Sequence, residues 1–473
     1  MNLDTGLALW LLAVVFSCAY ALADWRRAIY LGILVDALRD PVRKLLPDEP
    51  VIVTLSGALV WLAIVSTVAF QQKQYIATLY RMYPALRRAF QFLMLAIIPA
   101  FAISTISYPR GYLMATIGAA SYIIPCLGVL TGFALMKRER DVVRMMQWYI
   151  LINVVMLFSV PMEYLNWEVP ALGGIRFEWI RYRDGYIVDL MSGWYRSPDV
   201  MGLHAAQVIM FSLLLAVRPM SKGGMAWIAP VLVAGFCVLL SGRRKMVGIP
   251  MVFVAVLLGL GMYFKVAKVN RLLGFAILGL LIGGVGGVFL WSPDQSQEYT
   301  DFASSLFTEG ADRSNDVILG GVITTLQQAG LLGGGLGIAT QGRYYVGVQT
   351  PKHLRGWQED GISRLFVEFG VPGVIFLISA LVLFFRTGLQ SIRRMPTKGN
   401  EILMQLGLTA IVAGNAASFA ISHQQFSGDP VNALMVTMLM GMILRFPLMI
   451  RPLPPLRRIL PSLQRIPRWQ ANR

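Results

Sequence analysis

Several short polar segments of this chain carry side chains suited to a phosphorylated substrate, and each lies against an apolar run. Gly193-Trp194-Tyr195-Arg196-Ser197-Pro198-Asp199 sets an arginine just before a proline that can start a helix. Unpaired N–H groups and the positive end of the helix dipole gather at such a start, so Arg196 is placed to hold an anion such as phosphate. Flanked by Trp194 and Tyr195, it reads equally as an interfacial anchor. Ser241-Gly242-Arg243-Arg244-Lys245 crowds three cations into a turn between apolar runs, and guanidinium groups offer paired N–H contacts to phosphate oxygens. Arg313 precedes a helical-looking stretch, 317 to 328, that leads into the glycine cluster 333 to 337, with Gly335 and Gly337. No Lys-Ser or Lys-Thr follows those glycines and no strand precedes them, so they make neither a nucleotide-binding P-loop nor a dinucleotide fingerprint. They suit close approach of a sugar or lipid head group to the backbone, or a tight turn.

Proton transfer needs a different residue type. A carboxylate within hydrogen-bond reach of a sugar hydroxyl can accept its proton as the hydroxyl attacks, which makes Glu359 the candidate general base beside Asp360. The alternative for Glu359 is an ordinary solvated loop acid. His353 is an alternative or assisting base, and His423 with Asp429 either lines the same cavity or closes a polar turn. Glu368 reads as a structural acid at a helix start.

The elements that must position these groups are membrane helices. Hydrophobic residues make up 56% of the 473 and charged residues 14%, and apolar runs of membrane-spanning length recur throughout. The expected fold is an all-α integral membrane protein of about twelve transmembrane helices, at 6–23, 51–70, 90–107, 113–136, 147–165, 200–217, 226–241, 246–264, 272–291, 371–386, 401–421 and 430–449. The organisation is then a helical part at 1–291 with an extracytoplasmic loop at 166–199, a large extracytoplasmic loop at 292–370, C-terminal helices at 371–450 and a basic cytoplasmic tail at 451–473. The net charge of +17 sits in short connections and the tail, so positive-inside bias accounts for it and nucleic acid is not a partner. Loops 73–88, 137–144, 218–222, 265–271 and 386–398 fall with the tail on the cytoplasmic side, and 167–199, 241–245, 292–370 and 422–429 fall on the other. Segment 24–50 resists this scheme, because Arg26, Arg27, Arg39, Arg43 and Lys44 would lie outside. A short extra or re-entrant helix over 28–38 would move Arg26 and Arg27 inside and leave the N-terminus outside. Cys18, Cys126 and Cys237 lie in apolar runs without metal-ligand spacing, and neither a disulfide nor a metal site is expected.

The order Arg196, Ser241-to-Lys245, Arg313, the glycine cluster and Glu368-Phe369-Gly370-Val371-Pro372-Gly373 resembles the O-antigen ligase and Wzy-type polymerase superfamily over about 193–373. The resemblance implies a GT-C-like membrane glycosyltransferase of the bacterial cytoplasmic (inner) membrane, inverting, metal-independent and without a cofactor. It acts on an undecaprenyl-diphosphate-linked oligosaccharide at the outer face of the bilayer, with chain-length regulators or other polysaccharide export proteins as candidate partners. Arg196, Arg243, Arg244 and Arg313 correspond to the arginines that would hold the diphosphate. Counting back from Glu368 puts the family's histidine at Glu359 and its neighbour at Asp360, so a carboxylate stands where the family has an imidazole. That departure favours a polymerase over a standard ligase. A membrane transporter, either an anion carrier or a lipid-linked-sugar flippase, is the alternative, and would call for charges deep within spans.

Overall fold

Apolar runs longer than a bilayer is thick can satisfy their backbone groups only as helices or closed barrels, and here they are helices. The computed structural model describes residues 5–175, 179–183, 186–218, 224–266, 319–340, 346–349, 354, 358–396, 400–427 and 429–450. The chain is an all-α, multi-pass membrane protein in character: ten of the described helices are long and apolar enough to cross a membrane. In order they are α1 (Thr5–Ala23), α3 (Val51–Gln71), α5 (Pro84–Ser107), α6 (Gly111–Leu135), α7 (Glu139–Leu157, continued by the short α8, Ser159–Tyr164), α9 (Pro198–Val217), α11 (Arg244–Tyr263), α13 (Gly361–Arg393), α14 (Asn400–Ile421) and α15 (Pro430–Ile450). Between them lie α2 (Trp25–Leu45), the short α4 (Lys73–Met82), α10 (Ile228–Leu240) and α12 (Gly321–Ala329). The expected span at 272–291 lies outside the described residues.

Two expectations change. Segment 25–45 is a full helix of 21 residues, not a short insertion over 28–38. Trp10 Nε1 donates to Ser56 Oγ and Gly57 lies against Arg39, so α1 and α3 run parallel and in contact, with α2 packed antiparallel against both. Helix α2 carries Asp36, Arg39, Asp40, Arg43 and Lys44 into the helix bundle. Helix α13 begins at Gly361, ten residues before the expected span, and is broken at Gly370 (φ 63°, ψ −176°). Glu368 is therefore no helix-start acid. It is fully buried, accepts from the Tyr122 hydroxyl at 2.6 Å and faces Arg364 Nε at 3.6 Å.

α9 forms the centre, with all of its residues buried. α6 and α15 pack through Gly128, Gly132 and Gly441, where a side chain would run into the facing backbone, the small-residue packing that membrane helices favour. The contacts sort the helix ends into two sets. One end joins the C-terminus of α9 to the start of α7 (Arg218 to Glu139, 2.8 Å), and the end of α15 to the start of α5 (Tyr83 to the Leu444 carbonyl, 3.0 Å). The other gathers the end of α2, the start of α9, the α10–α11 turn, the start of α13 and the α14–α15 loop. There, loop 165–197 carries a two-stranded antiparallel hairpin, β1 (Ile180–Arg183) with β2 (Tyr186–Asp189).

Candidate functional site

The starts of α9, α11 and α15 and the ends of α2 and α14 bring together charges from opposite ends of the chain. Ser197 caps α9, its Oγ accepting from Val200 N at 3.4 Å, which fixes Arg196 just outside the first turn. The Arg196 guanidinium donates to Asp429 Oδ2 at 3.0 Å and lies 3.9 Å from Asp40, while its backbone N–H donates to Asp40 at 3.2 Å. Arg39 binds the same Asp429 oxygen and reaches Asp36 at 2.9 Å. Asp429 is thus shared by two arginines, with its other oxygen accepting from Val431 N at 3.1 Å. Lys44 ties loop 165–197 to α2, its ammonium among the carbonyls of Ala171, Gly173, Gly193 and Tyr195.

A second cluster adjoins the first through α9. Asp199 receives Arg243 at 3.1 Å and Lys245 at 2.6 Å, and Lys245 also donates to Ser422 Oγ at 2.6 Å. Arg243 lies over the Trp179 ring, 5.4 Å from its centre. Arg244 starts α11 half-buried. Glu359 is exposed and its charge acts on Lys245, so the carboxylate lies at the rim of this cluster.

Around it the segment 358–363 is fixed. Asp360 is buried and caps α13, accepting from Ser363 N at 2.6 Å, and burial raises its pKa against that hydrogen bond. Its part is to cap the helix just after Glu359, not to face a cavity. His423 is buried with Nε2 2.8 Å from the Gln358 carbonyl oxygen, and Gln358 in turn accepts from Thr325. Burial, reinforced by Arg364, holds the imidazole pKa down to about 3, so it is a neutral N–H donor to that carbonyl.

Below the first cluster, between α2, α3, α7, α9 and α15, lies a cavity of ~20 Å³, space for about one water. Asp36, Trp61, Tyr149, His204, Gln207 and Asn432 line it. The Tyr149 hydroxyl and His204 Nδ1 are 2.7 Å apart, and Gln207 donates to Asn415 at 2.6 Å.

No protein-family model and no curated protein matches this chain. The site therefore rests on its own geometry. That geometry joins Arg196, Arg243 and Glu359 with Asp429 and His423 at one end of the bundle, while Arg313 and His353 lie outside the described residues. Gly335 and Gly337 are buried against helix ends and not against open space. A side chain at Gly335 would collide with Ser104, and one at Gly337 with Met114, and the segment is pinned by Leu336 N to the Ala100 carbonyl (3.0 Å) and Gly334 N to Val367 (2.7 Å). At both glycines φ is positive, 97° and 88°, a conformation open to glycine and strained for other residues. These residues plug irregular backbone between α5, α6 and α13, the setting in which non-helical backbone is tolerated among membrane helices.

Sequence reasoning passed over Asp36, Asp40 and Asp199 as counter-ions. Asp36, Arg39, Asp40 and Arg43 stand three and four apart, a spacing that puts alternating charges along one helix face and was there to be read.

Proposed function

We propose that the chain is a membrane glycosyltransferase acting on sugars carried by a polyprenyl diphosphate, joining repeat units into a polymer. The observation that carries this reading is the convergence of Arg196, from the start of α9, with Arg243 and Lys245, from the start of α11, beside the exposed Glu359. Each cation is held by a carboxylate: Arg196 by Asp429, and Arg243 and Lys245 by Asp199. A diphosphate carries more charge and more acceptor oxygens than a carboxylate. It can therefore take over Arg196 and Arg243 while Arg39 keeps Asp429 neutralised and Lys245 keeps Asp199 neutralised.

In this reading the acceptor hydroxyl attacks the anomeric carbon, the new C–O bond forms as the bond to the diphosphate oxygen breaks, and the electron pair leaves on the diphosphate. Glu359 takes the hydroxyl proton. The arginines stabilise charge that grows on the leaving group, an arrangement set before reaction. A single displacement inverts the anomeric centre.

The fold reading is a GT-C-like bundle. Adding α2, the helical run 224–240 and the apolar run 272–291 to the ten described candidates gives thirteen crossings, with the N-terminus and the site end outside the cytoplasmic membrane and the C-terminus inside. A transporter is the second reading, favoured by the polar cavity that holds Asp36, His204 and Gln207 within the bundle.

The deciding experiment is chain extension by purified protein in vesicles supplied with lipid-linked repeat units. Glu359→Gln should slow extension about 10²- to 10⁴-fold with donor binding retained, and Arg196→Ala should weaken donor binding by about 1.5–3 kcal/mol. Extension at the parent rate by Glu359→Gln removes it as the base. Flux of the intact lipid-linked sugar without any bond formed would favour the transporter.

A further inference from the structure

At the end of the bundle away from the site, a groove of ~690 Å³ opens beside α4 and the first half of α5. Its mouth holds Tyr80, Arg87 and Arg88, and its floor runs on through Phe92, Leu95 and Ile98. Both arginines are exposed, and among the described residues neither makes an ion pair with an acid. That sets them apart from Arg196, Arg243 and Arg39 at the other end, all of which have carboxylate partners.

Arg88, Phe92, Leu95 and Ile98 recur at three- and four-residue spacing, so they form one stripe along α5. Ten residues at about 1.5 Å each carry the stripe ~15 Å, close to half of a ~30 Å hydrocarbon core. Leu95 is 48% and Ile98 63% exposed on a helix apolar enough to span a membrane, so this part of the groove opens toward acyl chains and not toward water. The walls are aromatic: Phe90 meets Tyr80 and Phe384 edge-on, and Phe92 stacks on Phe376. Unpaired cations at one end and one leaflet's depth of apolar groove below them match an amphiphile with a negative head.

We propose that this groove is a binding site for an anionic phospholipid, its phosphate between Arg87 and Arg88 and an acyl chain along Phe92, Leu95 and Ile98. The site is independent of the reaction proposed for the other end. A protein partner would need a helix lying at membrane depth, and nothing apolar in the groove calls for the two unpaired cations that stand at its mouth. A free phosphate would leave the apolar part unused.

Native mass spectrometry of the full-length protein in detergent, titrated with phosphatidylglycerol or phosphatidylcholine, tests this. Phosphatidylglycerol should be retained in preference to phosphatidylcholine, and the arginine substitutions Arg87→Ala and Arg88→Ala should each weaken retention about fivefold. Leu95→Trp, which fills the groove and keeps both charges, should also weaken it. Arg140→Ala removes an exposed arginine from α7 at the same end and should change nothing. Equal retention of the two lipids, equal loss in Arg140→Ala, or full displacement by inorganic phosphate would each overturn the proposal, the first two by showing diffuse association and the third by showing a simple anion site. Because the substituted side chains are exposed, unchanged thermal melting of the variants shows that they remain folded.

Discussion

His423 shows how position decides what a titratable residue can do. Buried against the Gln358 carbonyl, it has a pKa near 3, whereas an unfolded chain holds histidine near ~6.5. Between those values the unfolded state binds the extra proton, so stability contributed by neutral His423 is present above ~6.5 and drains away as pH falls toward 3, by at most ~1.4 kcal/mol per pH unit. Melting in detergent should therefore drop on acidification, and His423→Gln, which keeps an N–H donor without a titratable ring, should flatten the drop. Parent and variant falling in parallel would mean that His423 is not held neutral. At this scale the sequence was half legible. Arg196 stood out because it stands just before a proline that starts a helix, and Arg243 because three cations crowd a turn assigned to the outer side, against the positive-inside pattern. Their partners did not, since the Arg196–Asp429 pair joins residues 233 positions apart and leaves no local trace.

At the scale of elements, apolar length made the long helices readable, and charge hid α2. A window holding Asp36, Arg39, Asp40, Arg43 and Lys44 looks like a loop to any rule based on hydropathy, yet those charges are paired or hydrogen-bonded within the bundle and the helix persists. The first turns of α13 were missed for a related reason, because Arg364 and Glu368 neutralise each other inside it. Packing between helices was not legible at all, although it is specific. Gly132 faces the Met438 backbone so closely that any side chain forces α6 and α15 apart, whereas Gly388 on α13 has nothing within 4 Å. Gly132→Leu should cost at least ~1–3 kcal/mol by overpacking, lower the melting temperature and reduce the monodisperse fraction in detergent, while Gly388→Leu should be tolerated. Comparable behaviour of the two would show that α6 and α15 are not in close contact.

For the molecule as a whole, the charges differ between the two ends in kind as well as in number. The site end pairs Arg39, Arg196, Arg243 and Lys245 with Asp36, Asp40, Asp199 and Asp429, and also holds Glu163, Glu359 and Asp360. The other end exposes Lys73, Arg81, Arg87, Arg88, Lys137, Arg138 and Arg140 against few acids, chiefly Glu139 and Asp141. An excess of Lys and Arg in short loops marks the side retained in the cytoplasm, and acids count for little in that balance. The orientation expected is then site end out. It can be read with single cysteines in a background where Cys18, Cys126 and Cys237 are replaced by serine. Pro47→Cys and Pro109→Cys, exposed in the α2–α3 and α5–α6 turns, should react with a membrane-impermeant thiol reagent in spheroplasts, and Lys73→Cys and Arg138→Cys should react only after the membrane is opened. The pairing of the results separates two questions. Reaction at Lys73→Cys and Arg138→Cys alone would reverse the orientation but leave the architecture intact, and would put the carboxylate-held arginines on the cytoplasmic side, where the proposed extracytoplasmic transfer could not occur. Reaction at Pro47→Cys without Pro109→Cys would break the architecture itself, because α2, α3, α5 and α6 could not then run as an antiparallel set with those two turns at one end.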